Sequence, residues 1–221
     1  MLLREIFPLP NGIQMNYQIT LPSDYQEGEK LPLIVFLHGA GERGDKFERL
    51  CNTAVPKLFA NDPDYKGLRV ITLCPQCPFE HSWMPFILPV TDLIKATIKR
   101  FNIDEDRVSL TGLSMGGFGT WELSCHAPQL FSAIAPLCGG GLSWRAERIK
   151  NIPCRVYHGD ADEAVPLQYS LLMTDRLKKL GANVEMNILP GVPHNCWNYA
   201  YQETDLLCWL AAQKRPAKEN A

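Results

Sequence analysis

The feature that most constrains this chain is a G-x-S-x-G pentapeptide at residues 112–116, set directly after a strand-like run at 107–111. A helical stretch starts at Met115, so the serine lies where a buried strand turns sharply into a helix. The small glycines two residues before and after Ser114 permit such a turn. We expect the turn to expose the Ser114 hydroxyl at the sheet edge, where the helix N-terminus favours developing negative charge.

Along the rest of the chain, apolar runs alternate with amphipathic stretches. The apolar run at 33–37 is continuous, as in a strand covered on both faces, whereas 13–21 alternates as in an antiparallel strand. This alternation predicts a mostly parallel central sheet with helices on both faces. Strands are predicted at 13–21, 33–37, 70–73, 108–111, 131–137, 155–157 and 184–189, and helices at 88–101, 115–127, 167–180 and 199–212.

The size and charge of the chain exclude several classes of function. It has 221 residues and a formal net charge of −2, which suits a single α/β domain over residues 1–221 with 214–221 as a flexible tail. The sequence contains no basic cluster and no apolar run of membrane-spanning length, so neither nucleic acid nor a membrane is expected as a partner. Because the N-terminus lacks the apolar run of a signal peptide, we expect a cytoplasmic location.

The eight cysteines are expected to stay reduced, since no export signal precedes them. Cys74 and Cys77 form a C-x-x-C spacing with His81 nearby, which is typical of part of a metal or redox site. A zinc site needs a fourth ligand, and a redox C-x-x-C normally begins a helix. Pro75 and Pro78 instead favour an irregular loop after a strand, with the metal or redox site as the less favoured alternative. We therefore expect no metal and no cofactor.

A serine nucleophile needs a base, and in a sheet of this type the base follows the last strand of the chain. His194 lies in the loop after the last predicted strand and is the candidate base. The other histidines lie elsewhere. His38 and His158 are at strand ends, where we expect structural hydrogen bonds, His126 is near a helix end, and His81 lies in the proline-rich loop.

The acid that orients the base should lie between the serine and the histidine in chain order. Asp160, Asp162 and Glu163 share the loop after the strand at 155–157. We favour Asp162, because aspartates in turns commonly bond to their own loop backbone and Asp160 is placed to do so.

Stabilising a tetrahedral oxyanion requires two N–H donors. The N–H of Met115, directly after the serine, is one candidate, and the N–H of Ala40 is the other. Ala40 lies in a glycine-rich loop after the strand at 33–37, where Gly39 and Gly41 let the backbone approach closely. A phosphate-binding loop is the weaker explanation, because the lysine and the Ser or Thr of a P-loop are missing.

With these residues assembled, the chain resembles the α/β-hydrolases of the carboxylesterase, dienelactone hydrolase and prolyl-oligopeptidase-like group, in particular small stand-alone esterases often labelled predicted peptidases. The resemblance implies an α/β-hydrolase fold with Ser114 as nucleophile, Asp162 as acid and His194 as base. The connection at 138–153 is too short for a mobile lid, so we expect little or no lid and a shallow site. The matching segments are 36–44 (FLHGAGERG), 112–121 (GLSMGGFGTW), 135–141 (APLCGGG), 158–166 (HGDADEAVP) and 190–197 (PGVPHNCW).

The resemblance further implies a serine carboxylesterase that acts on small-molecule esters with short or aromatic acyl groups, of the acetyl or feruloyl type. Trp83 and Trp197 are candidates for an aromatic pocket wall, with simple packing as the alternative. The chain departs from the family pattern at Pro193, where a glycine is more usual, and shows no β-propeller or other gating domain. Two alternatives stay open: a small serine peptidase, and a catalytically silent binding protein. The oligomeric state is open between monomer and dimer.

Overall fold

The computed structural model describes residues 1–9 and 12–215. Its central element is one sheet of eight strands. The strands are β1 (Leu2–Pro8), β2 (Gln14–Thr20), β3 (Leu33–Leu37), β4 (Ile71–Pro75), β5 (Val108–Leu113), β6 (Ala133–Leu137), β7 (Cys154–Gly159) and β8 (Val184–Leu189). Their order across the sheet is β1-β2-β4-β3-β5-β6-β7-β8. Strand β2 runs antiparallel to both of its neighbours, and the other pairings are parallel. The mostly parallel sheet expected from the sequence is confirmed.

Helices cover both faces of the sheet. They are α1 (Phe47–Leu50), α2 (Ala54–Asn61), α3 (Ile87–Arg100), α4 (Met115–His126), α5 (Gln168–Lys179), α6 (Trp197–Gln202) and α7 (Leu206–Ala212). Alternate residues of β3 belong to two separate apolar clusters, one shared with α3, α4 and α5 and the other with α2, α6 and α7. This two-sided burial explains why the sequence of β3 is continuously apolar.

Several features of the fold differ from the sequence-based expectations, among them helices α1 and α2, which were not predicted from the sequence. Strand β1 was not predicted, because its side chains alternate between exposed and half-buried and none is fully buried. The helix expected at 199–212 is two helices, α6 and α7. Thr204 separates them: its hydroxyl donates to Ala200 O at 2.6 Å and accepts from Leu206 N–H at 3.1 Å. The hydroxyl thereby competes with the helical hydrogen bonds that would have joined the two segments.

The connection between β6 and β7 contains only the short 3-10 helix Ser143–Ile149, so no lid domain is inserted there. None of the helices in the described part of the chain is both long and apolar enough to cross a bilayer. Of the tail expected at 214–221, residues 216–221 lie outside the described residues. Arg215 is held, because its N–H donates to Asp106 O at 2.8 Å.

Helix α4 begins in backbone contact with the ends of two strands. A Cβ atom added to Gly116 would lie 1.9 Å from Leu37 O, and one added to Gly117 would lie 2.3 Å from Leu137 O. No real side chain fits at such distances, so glycine is required at these positions for close approach.

Gly116→Ala should therefore force α4 away from β3 and lower the free energy of unfolding by about 3 kcal/mol. Urea denaturation, with its midpoint and slope compared to the parent, measures this loss. Gly41→Ala is the matched control, because a Cβ at Gly41 meets nothing within 4 Å. Equal losses in the two variants would show that close approach is not what demands glycine at 116.

Candidate active site

Ser114 joins β5 to α4 in a strained backbone conformation. Its φ is 54° and its ψ is −120°, a combination that residues with side chains rarely adopt and that costs about 1–3 kcal/mol. Two hydrogen bonds hold the turn: Ser114 N–H donates to Leu137 O at 3.0 Å, and Phe118 N–H donates to Ser114 O at 3.1 Å. The unusual φ thus falls on the serine itself, while the neighbouring glycines serve the packing of the helix.

The structure brings Ser114, His194 and Asp162 together in one hydrogen-bonded chain. His194 Nε2 lies 2.8 Å from Ser114 Oγ, and His194 Nδ1 lies 2.7 Å from Asp162 Oδ2. The three residues follow β5, β8 and β7, whose carboxyl ends share one edge of the parallel sheet. With Nδ1–H donating to the carboxylate, Nε2 has a free lone pair directed at the serine hydroxyl.

The carboxylate of Asp162 is fully shielded from solvent and well supplied with donors. Its Oδ1 accepts the N–H groups of Ala164 at 2.9 Å and Val165 at 2.8 Å. Burial works against the charge, but the hydrogen bonds from His194 and from these two N–H groups outweigh it, so the pKa of Asp162 lies below its usual value. Asp162 is therefore held ionised beside His194.

Asp160 is exposed and does not reach His194. Its Oδ1 accepts the N–H of Gly191 at 2.6 Å. We expected Asp160 to bond to its own loop, but it bonds to the neighbouring loop, the one that carries His194. A second contact joins the same loops, since Ala161 N–H donates to Val192 O at 3.2 Å. The two loops that supply Asp162 and His194 are thus fastened to each other.

The loop after β3 passes beside the serine. A Cβ atom added to Gly39 would lie 3.6 Å from Ser114 Cβ. Ala40 begins the short 3-10 helix Ala40–Glu42, so its N–H belongs to the helix start, and Arg43 Nε donates to Ala40 O at 2.8 Å. Met115, the other expected donor, is the first residue of α4. Both expected donors therefore belong to helix starts next to Ser114.

His38, at the end of β3, makes the structural hydrogen bonds that its position predicted, and these hold the loop that follows. Its ring is fully buried, Nδ1 lies 2.6 Å from Gly39 O, and Nε2 accepts Cys77 N–H at 2.8 Å. Burial lowers the pKa of His38 to about 4, so the ring is neutral at ordinary pH. Trp83 completes the support, because its indole N–H donates to His38 O at 3.0 Å.

The C-x-x-C segment begins in β4, which ends with Cys74 and Pro75, and continues into the loop that follows; both of its cysteines are buried, and burial raises the pKa of the Cys77 thiol to about 12. Within the described residues, the side chains placed closely enough to share an ion are a different set, namely Cys138, Asp162 and His194, whose ligand atoms lie within 4.8 Å of one another. The sequence predicts Cys138 only as a small core residue and not as a neighbour of the acid and the base. Burial, together with the neighbouring Cys196 thiol, raises its pKa well above the ordinary value, so it stays a neutral thiol under the acid and the base.

An apolar cleft of about 380 Å³ opens near the first turn of α4. A second cleft of about 150 Å³ adjoins it, and Met84 and Phe118 line both. The candidate Trp83 lines the larger cleft but is only 1% exposed. The candidate Trp197 does not line either cleft and packs edge-on against the His194 ring, with centroids 5.4 Å apart. Other lining residues are Ser82, Met115 and Gly119 in the larger cleft and Glu122, Gly140, Gly141, Leu142 and Tyr169 in the smaller one.

Comparison with known proteins gives a consistent picture. A family model described as phospholipase/carboxylesterase matches residues 81–205, more than half of the chain. A thermostable esterase of known structure is 35% identical, with a TM-score of 0.88, over 97% of this chain and 63% of that one. The feruloyl esterase module from Clostridium thermocellum shares the fold, with a TM-score of 0.78 at 15% identity over 100% of this chain and 91% of that one.

A further relative is much longer than this chain. The dipeptidyl peptidase family member 2 of Caenorhabditis elegans is 26% identical over 85% of this chain, which corresponds to 27% of its own length. The chain thus spans about a quarter of that relative.

Proposed function

Because the chain belongs to the phospholipase/carboxylesterase family of α/β-hydrolases, we propose that it is a serine carboxylesterase with Ser114 as nucleophile, His194 as base and Asp162 as acid. The observation that carries this proposal is the unbroken chain of hydrogen bonds at 2.8 and 2.7 Å from the serine hydroxyl to the carboxylate. A serine hydroxyl is a weak nucleophile on its own, and this arrangement supplies both the proton acceptor and the group that orients it.

In the first half of the reaction, Ser114 Oγ attacks the ester carbonyl carbon while its proton passes to His194 Nε2. Asp162 stabilises the imidazolium that forms, because its charge faces Nδ1–H. The carbonyl oxygen becomes an oxyanion, which accepts hydrogen bonds from the N–H groups of Ala40 and Met115. When the tetrahedral intermediate collapses, the bond to the alcohol oxygen breaks and His194 gives that oxygen the proton.

In the second half, water replaces the alcohol. His194 takes a proton from water as the oxygen attacks the acyl-enzyme carbonyl, and the same two N–H groups hold the oxyanion. Collapse breaks the bond to Ser114 Oγ, which recovers its proton from His194. The products are one carboxylic acid and one alcohol, and the protein returns to its starting state without a cofactor.

The larger apolar cleft is the proposed acyl site. Met115, which directly follows Ser114, lines this cleft, so an acyl group bound there lies next to the nucleophile. An apolar cleft of about 380 Å³ suits a short acyl chain or one aromatic ring, such as an acetyl or feruloyl-type group. A small-molecule ester is therefore the proposed partner, and the cytoplasmic location stays a prediction.

A serine peptidase is the second candidate, because the C. elegans relative is a dipeptidyl peptidase by name. The same nucleophile and base serve both reactions, so the leaving group distinguishes them. Comparing kcat/KM for p-nitrophenyl acetate with that for a p-nitroanilide peptide separates the two; faster cleavage of the anilide would overturn the esterase proposal.

Ser114→Ala tests the function directly. The parent should hydrolyse p-nitrophenyl acetate and react covalently with a fluorophosphonate, whereas the variant should lose labelling and about a million-fold in kcat. Ser23→Ala, at an exposed serine that bonds to Asp64, is the control and should behave as the parent. Unlabelled parent protein would favour a catalytically silent binding protein, and an active Ser114→Ala variant would remove the nucleophile from the proposal.

The assignment of the acid has its own matched pair of variants. Asp162→Asn should lower kcat by about 10⁴-fold, because a neutral amide neither holds the Nδ1–H tautomer of His194 nor stabilises its imidazolium. Asp160→Asn keeps an oxygen that accepts the Gly191 N–H, so its kcat should stay close to that of the parent. Steady-state kinetics on p-nitrophenyl acetate measures both, and the opposite ranking would transfer the role to Asp160.

Phe118 lines both apolar clefts, so we expect its truncation to enlarge the space shared between them. In Phe118→Ala, the ratio of kcat/KM for p-nitrophenyl octanoate over the acetate should rise by about tenfold, since longer chains gain apolar contacts. Leu88→Ala is the control: Leu88 is 62% exposed and lines neither cleft. An unchanged ratio in Phe118→Ala would place the acyl group elsewhere.

A further inference from the structure

A second histidine contacts the candidate acid. His158, at the end of β7, has its Nε2 3.2 Å from Asp162 Oδ2 and 2.8 Å from Val165 O. The side chains of His158 and Asp162 are both 0% exposed. The same Asp162 oxygen is the partner of His194, so two imidazole rings meet at one carboxylate oxygen.

The surroundings of His158 determine which nitrogen carries its proton. Burial lowers the pKa of His158, although the Val165 carbonyl and the Asp162 charge oppose this, so the ring is neutral at ordinary pH. On the Nε2 side, Val165 O and Asp162 Oδ2 both accept and neither donates. On the Nδ1 side, the Ser170 hydroxyl lies 2.8 Å from Nδ1 and 2.8 Å from Gly139 O and can act towards the ring as donor or acceptor, whereas Nε2 faces acceptors alone. The single ring proton is therefore on Nε2.

We propose that His158 is a positioning residue for the esterase reaction: its Nε2–H donates to Val165 O at 2.8 Å and is shared at 3.2 Å with Asp162 Oδ2, and this second contact holds that oxygen towards His194. This inference rests on the proposed function, since positioning matters only if His194 and Asp162 carry the reaction. Ser170, on α5, holds the His158 ring from the other side and also lies 2.8 Å from Gly139 O. The acid is thereby connected through His158 to helix α5, beyond its own loop.

The contact between His158 and Asp162 also affects whether the proton taken from Ser114 stays on His194 or moves to Asp162. A donor on Oδ2 makes Asp162 a weaker base, so the proton that His194 takes from Ser114 remains on the imidazole and is available to the leaving alcohol. The titratable groups facing His158 are Asp162 and His194, and Cys138 faces Asp162 as a neutral thiol. If the donor is removed, the His194–Asp162 pair binds a proton more tightly, and the acid limb of the pH profile moves to higher pH.

Two amide variants separate donation to Asp162 from simple packing. In His158→Gln the side-chain amide reaches the place of Nε2 and keeps a donor for Oδ2. In His158→Asn the amide reaches only the place of Nδ1, so it keeps the Ser170 contact and loses the donor. His158→Asn should lower kcat for p-nitrophenyl acetate by about 10- to 100-fold with little change in KM, whereas His158→Gln should stay within about threefold of the parent. The acid limb of kcat/KM should shift upward by at least about half a pH unit in His158→Asn alone.

His126→Gln, at an exposed histidine at the end of α4, is the control and should match the parent. Equal kcat losses in the Asn and Gln variants with an unmoved acid limb, or parental kinetics in both, would overturn the inference. The parent gives an independent measurement, because ¹⁵N shifts of its histidine rings report the tautomer; a His158 protonated on Nδ1 would also overturn it. An active Ser114→Ala variant would instead defeat the proposed function itself, so the two failures are distinguishable.

Discussion

The site depends on the contact between the first turn of α4 and the ends of β3 and β6. The carbonyls of Leu37 and Leu137 lie against Gly116 and Gly117, where any Cβ atom would overlap them. With the helix pressed this close to the sheet, the chain between β5 and α4 has room only for the strained turn at Ser114. The unfavourable φ of the serine is therefore compensated by packing that extends across three strands.

The same principle places the other two members of the hydrogen-bonded chain. Asp162 and His194 lie in loops after adjacent parallel strands, and backbone contacts fix these loops to each other. A Cβ atom added to Gly159 would lie 1.9 Å from Val192 O, which leaves no space between the end of β7 and the loop after β8. Because backbone contacts hold the two loops against each other, the 2.7 Å contact between the carboxylate and the imidazole does not depend on one side chain alone.

The parts of this arrangement that the sequence predicts are those with local signals. Ser114 lies in a motif whose glycines are two residues away on either side, and Asp162 and His194 each follow a strand that the sequence predicts. The edge strand β1 has only a half-buried face and no continuous apolar run, so its pairing with β2 was not predicted from the sequence. The break between α6 and α7 depends on one hydroxyl, that of Thr204, inside an otherwise helical pattern.

The sequence does not predict the contacts that depend on how loops and helices fold against one another. The apolar cleft combines residues that precede α3 with residues of α4, and neither segment alone indicates a cavity. His158 was assigned a structural hydrogen bond from its strand-end position, which is correct for Ser170 and Val165. Its contact with Asp162, four residues later in the chain, forms because the loop after β7 turns back towards the end of that strand. The periodicity of the sequence does not predict such a turn. His158 therefore has both roles in the proposal. Its Nδ1 contacts Ser170 in the core, and its Nε2 contacts the carboxylate of Asp162.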